Sequence, residues 1–158
     1  MGKRIVAGIV GGLIAGLPFG VMMQMMTAPT PDGSAMPMMQ MVAMVVRSNS
    51  LGIGWFYHLF NSAFIGAVFG ALLGNRIKTY GAGVGWGALY GVAWWILGGQ
   101  ILMPLALGMP AFAALMMAPM LPVAIGSLIG HLVYGVLLCG FYIALTLRIF
   151  KRQAATSS

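Results

Sequence analysis

A single acidic residue, Asp32, occurs in the whole chain of 158 residues, and only 6% of the residues are charged. A soluble domain carries about a quarter charged residues, so this chain has too few polar groups to cover a surface that faces water. The shortage also removes chemistry. One carboxylate cannot form the pair that acid–base catalysis by carboxylates needs. Cysteine is equally scarce: Cys139 stands alone, so no intrachain disulfide forms, and a lone cysteine in an apolar run reads as a small buried hydrophobe. No Ser–His–Asp or Cys–His set is recognisable, since Cys139 falls well along the chain from His131. The glycines give no phosphate-binding loop. Gly83-x-Gly85 fails the dinucleotide fingerprint and lies inside an apolar span. The chain is expected to be a non-enzyme.

What the sequence has in quantity is apolar surface, 61% of its residues, and a basic excess that gives a net charge of +7. In a soluble protein that excess would point to nucleic acid. Here Lys3/Arg4, Arg76/Lys78 and Arg148/Lys151/Arg152 flank apolar runs, with Arg47 the exception. That is the pattern of membrane topology signals, and nucleic acid is not an expected partner. The bilayer is. The spacing predicts an all-α integral membrane protein with four transmembrane helices at about 5–26, 54–74, 81–102 and 124–147. A signal peptide is the competing reading of the first run. That run is long for one, and a related stretch recurs mid-chain where cleavage is excluded. Pro18 is expected to bend it, and Pro104 to stop the third helix. Residues Thr27 to Ser34 read as a polar turn region. Two shorter apolar segments, 36–46 and 110–117, cannot span a bilayer at about 1.5 Å per residue. They read as short interfacial or re-entrant helices, the first with Pro37 in its opening turn. Residues 153–158 read as a disordered tail.

The helices carry glycines at spacing four: Gly8, Gly12, Gly16 and Gly20; Gly66, Gly70 and Gly74; Gly83, Gly87 and Gly91. Such stripes let membrane helices approach closely. The chain also matches itself. An offset of 73 carries Pro31, Met36, Pro37 and His58-Leu59 onto Pro104, Met109, Pro110 and His131-Leu132, and Lys78 onto Lys151. An offset of 75 carries Gly8, Gly12 and Gly16 onto Gly83, Gly87 and Gly91. The expectation is a duplicated helix–loop–short helix–helix unit, 1–78 and 79–152. Both copies begin and end at a basic flank, so they point the same way. The positive-inside rule places both termini in the cytoplasm and the two Met-Pro segments outside.

The runs Trp55-Phe56-Tyr57-His58, Gly91-Val92-Ala93-Trp94-Trp95 through Met103-Pro104, and Gly130-His131-Leu132-Val133-Tyr134-Gly135 resemble a family of small bacterial four-helix inner-membrane proteins known mainly as a domain of unknown function. The resemblance covers nearly the whole chain and implies the membrane fold and a place in the bacterial inner membrane. It implies no reaction or ligand. The Met-rich segment Met36 to Met44 is richer in methionine than that pattern.

Polar groups inside the spans are the candidate site, because membrane helices turn such groups toward protein or water. Gln24, His58, Gln100 and His131 fall in one outer layer, with Asn61 and Ser62 on the face of His58 and Tyr134 on the face of His131. Interhelical hydrogen bonding is the plainest role. Two histidines at one depth could instead ligate haem b. The methionines, Met22, Met26, Met38 and Met41 above all, could hold Cu(I), which thioethers suit. The leading expectation is an accessory or scaffolding subunit of a larger membrane complex, with a membrane-protein partner or a second copy and no cofactor. The alternative is a ligand-handling membrane protein, whether haem-bearing, copper-binding or a small-solute pore.

Overall fold

The computed structural model describes residues 1–30, 34–77 and 79–156, with side chains to residue 147. Helix α1 is Gly2–Met25. A two-stranded antiparallel ribbon follows, β1 Thr27–Pro29 and β2 Ala35–Pro37, in the register Ala28 opposite Met36. Then come the short helix α2, Met38–Met44, and α3, Leu51–Leu72. Helix α4, Tyr80–Trp94, widens into a π-helical segment, Trp95–Leu102, and continues as α5, Met103–Ala106. After α6, Ala113–Met116, a 3-10 turn at Ala118–Met120 leads straight into α7, Leu121–Thr156.

Four segments are long and apolar enough to cross a membrane: Gly2–Met25, Leu51–Leu72, Tyr80–Ala106 and Ala118–Leu147. The shortest has 22 residues, about 33 Å at the α-helical rise, against about 30 Å of hydrocarbon. The distribution of polarity agrees with a bilayer as solvent. On α3 the outward residues Phe56, Phe60 and Phe64 are exposed, Phe56 at 71%, while His58 and Ser62 are buried. Gln100 and Ser127 are buried as well. A water-soluble helix bundle would show the reverse arrangement.

Helix α1 packs on both α3 and α7, and α4 packs on α7. The spans therefore follow one another as α3, α1, α7, α4. Close approach is built from missing side chains. A Cβ on Gly8 would strike the Gly66 carbonyl, and one on Gly66 would strike the Gly8 carbonyl. Gly12 meets the Ser62 carbonyl, Gly16 the Ser62 side chain, Gly20 the Trp55 ring and Gly70 the Arg4 carbonyl. Across α4 and α7, Gly87 and Gly135 meet each other's carbonyls, Gly91 meets that of His131, and Gly83 lies against Ile143. Gly74 instead holds the Tyr142 hydroxyl, which donates to its carbonyl at 3.2 Å. Between α1 and α7 the pattern changes: Gly130 receives the Phe19 ring and Gly126 the Met26 thioether.

Several boundaries differ from the sequence reading. The turn region Thr27 to Ser34 opens as a strand, and residues 31–33 lie outside the described residues. Met36 and Pro37 belong to β2, so α2 starts at Met38, with the Met38 N–H bound to the Met26 carbonyl at 2.9 Å. Pro104 does not stop its helix. A proline cannot donate to the carbonyl four residues back, here that of Gln100, and the Phe112 N–H takes that carbonyl at 2.6 Å. The chain therefore stays helical to Ala106. The segment expected at 110–117 shrinks to Ala113–Met116. Helix α7 starts at Leu121, with Pro122 in its first turn, where the missing N–H costs nothing. It runs on past Leu147 to Thr156, because residues 148–156 contain neither Gly nor Pro and include the strong helix formers Arg, Lys, Gln and Ala. The expected disordered tail is thus helical to Thr156, and residues 157–158 lie outside the described residues.

Left-handed residues close two of the short helices. Arg47 (φ 61°) follows α2 and Gly108 (φ 77°) follows α5. In each case the next N–H reaches back five residues, Ser48 to the Ala43 carbonyl at 3.1 Å and Met109 to the Pro104 carbonyl at 2.9 Å. This is the Schellman closure, which glycine adopts freely and arginine only at a cost.

Candidate ligand cavity

Helices α3 and α4 lie at opposite ends of the helix order, and no close packing joins α3 to α4 or to the π segment. They touch at one level, where the Tyr90 hydroxyl donates to the Ile65 carbonyl at 2.7 Å and Tyr90 meets Phe69 edge-on at 5.2 Å. Beyond that level a cavity of about 430 Å³ opens between them. Ile65 lines its floor, and α2, α5 and Met109 contribute to its roof. The size falls within the usual range for small-molecule sites.

The π segment shapes one wall. Gly98, Gly99 and Gln100 all line the cavity. A π turn is a local widening found disproportionately at functional sites. Two features favour it here: the glycine pair, and the Trp95 Nε1–H bond to the Ala124 carbonyl at 3.2 Å, which pins the start of the segment to α7. Gln100 is 1% exposed, and its Oε1 has no hydrogen-bond partner. A buried amide oxygen without a partner costs about 1–3 kcal/mol.

The histidines sit on the other walls. His58 Nε2 donates to the Gly16 carbonyl at 2.8 Å, and His131 Nδ1 donates to the Ser127 carbonyl of its own helix at 2.7 Å. A carbonyl only accepts, so each imidazole places its proton on the named nitrogen and keeps a lone pair on the other. Phe19 lies edge-on to both rings, with centroids 5.4 Å from His58 and 4.7 Å from His131. Asn61 Nδ2 donates to the Tyr57 carbonyl at 2.8 Å, Ser62 Oγ to the His58 carbonyl at 2.8 Å, and Tyr134 across to the Ser62 carbonyl at 2.7 Å. The last bond ties α7 to α3 beneath the site.

Of the residues singled out from the sequence, His58, Asn61, Ser62, Gln100, His131 and Tyr134 come together as lining of this cavity. Gln24 does not. It is exposed and accepts a bond from Trp55 Nε1 at 2.6 Å. The methionines divide. Met38 and Met41 line the cavity, whereas Met22 and Met26 do not, and Met26 packs against Gly126. Met23, Met103, Met109 and Met120 line it instead. A porphyrin held by both histidines would compete for space with Phe19, whose ring lies against both imidazoles. Among the described residues, no group of three or more His, Cys, Asp or Glu is placed to hold a metal ion.

Phe19, Ser127 and the π segment were missed by sequence reasoning. Ser127 carried a signal, being four residues before His131 on the same face. Phe19 carried none, since it looks like any lipid-facing residue of the first span. No family model, curated protein or solved structure matches the chain.

Proposed function

We propose that this protein is a non-enzymatic membrane protein that holds a small apolar molecule in the cavity between α3 and the π segment. The single observation that carries this reading is Gln100, a buried amide with an orphaned oxygen in the wall of a preformed cavity. A ligand from the membrane reaches it through the gap where α3 and α4 part. The test is native mass spectrometry of protein extracted in mild detergent. The wild type retains a low-mass apolar adduct, and Gly98→Trp does not. Gly98 lines the cavity, and a Cβ there meets nothing within 4 Å, so a larger side chain starts from this position without a clash at its first atom; a folded variant is checked by its monodisperse elution. A wild type free of adduct under those conditions contradicts the proposal.

The same reading includes a duplicated chain with both copies pointing one way, cytoplasmic termini and outward Met-Pro segments, in a bacterial inner membrane as the family resemblance implies. Contacts that recur under the offsets found in the sequence support the duplication. Gly12 meets the Ser62 carbonyl, as Gly87 meets that of Gly135; Gly16 meets Leu59, as Gly91 meets Leu132. Offset 75 relates the first members of these pairs and offset 73 the second.

A second reading, an accessory subunit bound to a membrane-protein partner or to its own copy, draws on α4. Gly81 and Gly85 are open there, beside exposed Val84 and Leu89, a surface that another helix could approach closely. Migration of the native protein alone in mild detergent counts against it.

A further inference from the structure

We propose that the end of the bundle where α1 starts, α3 ends, α4 starts and the α7 span ends is a binding surface for anionic phospholipid headgroups, which it takes in preference to zwitterionic ones. This surface lies on the far side of the Tyr90–Ile65 contact from the cavity and stands independently of the ligand-holding reading.

Packing gathers here basic residues that are far apart in the sequence. Gly70, near the end of α3, meets the Arg4 carbonyl, and Gly11 of α1 lies against the backbone nitrogen of Tyr142 on α7. Gly83, in the first turn of α4, lies against Ile143 of α7 and against Ile77. Ile77 is 3% exposed and anchors the turn after α3 beneath the start of α4. Lys3 and Arg76 are exposed and Arg4 is half-buried. Arg148, Lys151 and Arg152 continue α7 past its span at spacing i, i+3, i+4, which is one helix face. Six of the chain's eight basic residues are thus carried at this end, and Lys78 follows Ile77 in the sequence.

Nothing in the chain neutralises them. Its one acidic side chain, Asp32, falls in the segment that joins the opposite ends of α1 and α3. The counter-charge therefore comes from outside, and the surroundings indicate its source. Leu72 is 68% exposed and Tyr80 56% exposed, so apolar surface suited to lipid begins within a few residues of Arg76. An amphipathic tyrosine ring at a helix end marks headgroup depth. Cations at that depth are attracted to anionic lipid. Four of the six are arginines, whose planar fork matches phosphate oxygens bidentately.

The experiment uses the full chain in dodecyl maltoside and native mass spectrometry with two lipids of one acyl composition, dioleoyl phosphatidylglycerol and dioleoyl phosphatidylcholine. The phosphatidylglycerol binds at least about tenfold more tightly. That preference shrinks as ionic strength rises from about 0.05 M to about 0.5 M. Lys3→Gln with Arg76→Gln lowers phosphatidylglycerol affinity at least about fivefold and leaves phosphatidylcholine unchanged. Should that pair not give monodisperse protein, Lys151→Gln with Arg152→Gln gives the same reading. The charge-keeping pair Lys3→Arg with Arg76→Lys retains the preference, and so does Arg47→Gln, which removes a cation after α2. Equal binding of the two lipids at low salt overturns the proposal. An equal loss from Arg47→Gln overturns the assignment to this end, and displacement of phosphatidylglycerol by millimolar inorganic phosphate overturns it in favour of a soluble anion.

Discussion

At the scale of the residue, an absent side chain carries as much of the structure as any side chain that is present. The glycines fall into two classes that the sequence writes identically. Gly66 lies where a Cβ would overlap the Gly8 carbonyl, whereas Gly85 has nothing within 4 Å. Gly66→Leu must push α1 and α3 apart and is expected to cost about 3 kcal/mol or more. Gly85→Leu should stay within about 0.5 kcal/mol of wild type. Thermal unfolding in detergent, followed by the loss of monodisperse protein, distinguishes them. A comparable loss in both variants would mean that the α1–α3 contact is not as drawn. Spacing four in the sequence identified candidates for close approach. It could not tell which glycines meet carbonyls, which meet an aromatic ring as Gly20 and Gly130 do, and which face outward, because that depends on the order of the helices.

At the scale of the element, α3 shows how a membrane helix divides its faces. Gly54, His58, Ser62, Gly66 and Gly70 are buried, and Phe56, Phe60 and Phe64 are exposed. A nitroxide placed at position 60 should collide with oxygen dissolved in the bilayer and be shielded from a water-soluble nickel relaxant. One placed at 62 should be immobilised and reached by neither. Equal relaxation of both sites by nickel would remove α3 from the hydrocarbon. This face was legible in the sequence, since His58, Asn61 and Ser62 fall together by helical spacing. The third span was legible as a helix but not as a π helix. Hydrophobic periodicity reports a run of apolar residues and says nothing about whether a turn closes with four residues or five. Pro104 misled for a related reason. Its missing N–H frees a single carbonyl, and Phe112, eight residues further on, was not visible as the donor that takes it. The last helix was cut short because a small polar composition was read as disorder, although residues 148–156 hold nothing that breaks a helix.

At the scale of the whole molecule, the two pairs of packed helices are joined asymmetrically. Helix α1 packs on α3 as α4 packs on α7, yet α1 and α7 also pack on each other while α3 and α4 stand apart. Two equivalent seams would bury the polar layer completely. One closed seam and one open seam give a bundle that holds together along α1–α7 and keeps a cavity along α3–α4. The sequence showed polar residues within the spans but not the cavity, because a sequence offset carries no information on which seam closes. It also left Phe19 unnoticed, although that one ring touches both histidines.

The cavity between α3 and the π segment is the centre of this account, and photocrosslinking in living membranes tests it most directly. The photoreactive residue p-benzoylphenylalanine is placed at position 57, where Tyr57 lines the cavity, and in a second strain at position 60, where Phe60 is exposed on the outward face. Illumination followed by mass analysis of the purified protein should give one defined low-mass adduct from position 57 and a heterogeneous set of phospholipid adducts from position 60. The same phospholipid mixture from both positions would contradict the account, because Tyr57 would then face bulk lipid and the cavity would hold no ligand of its own.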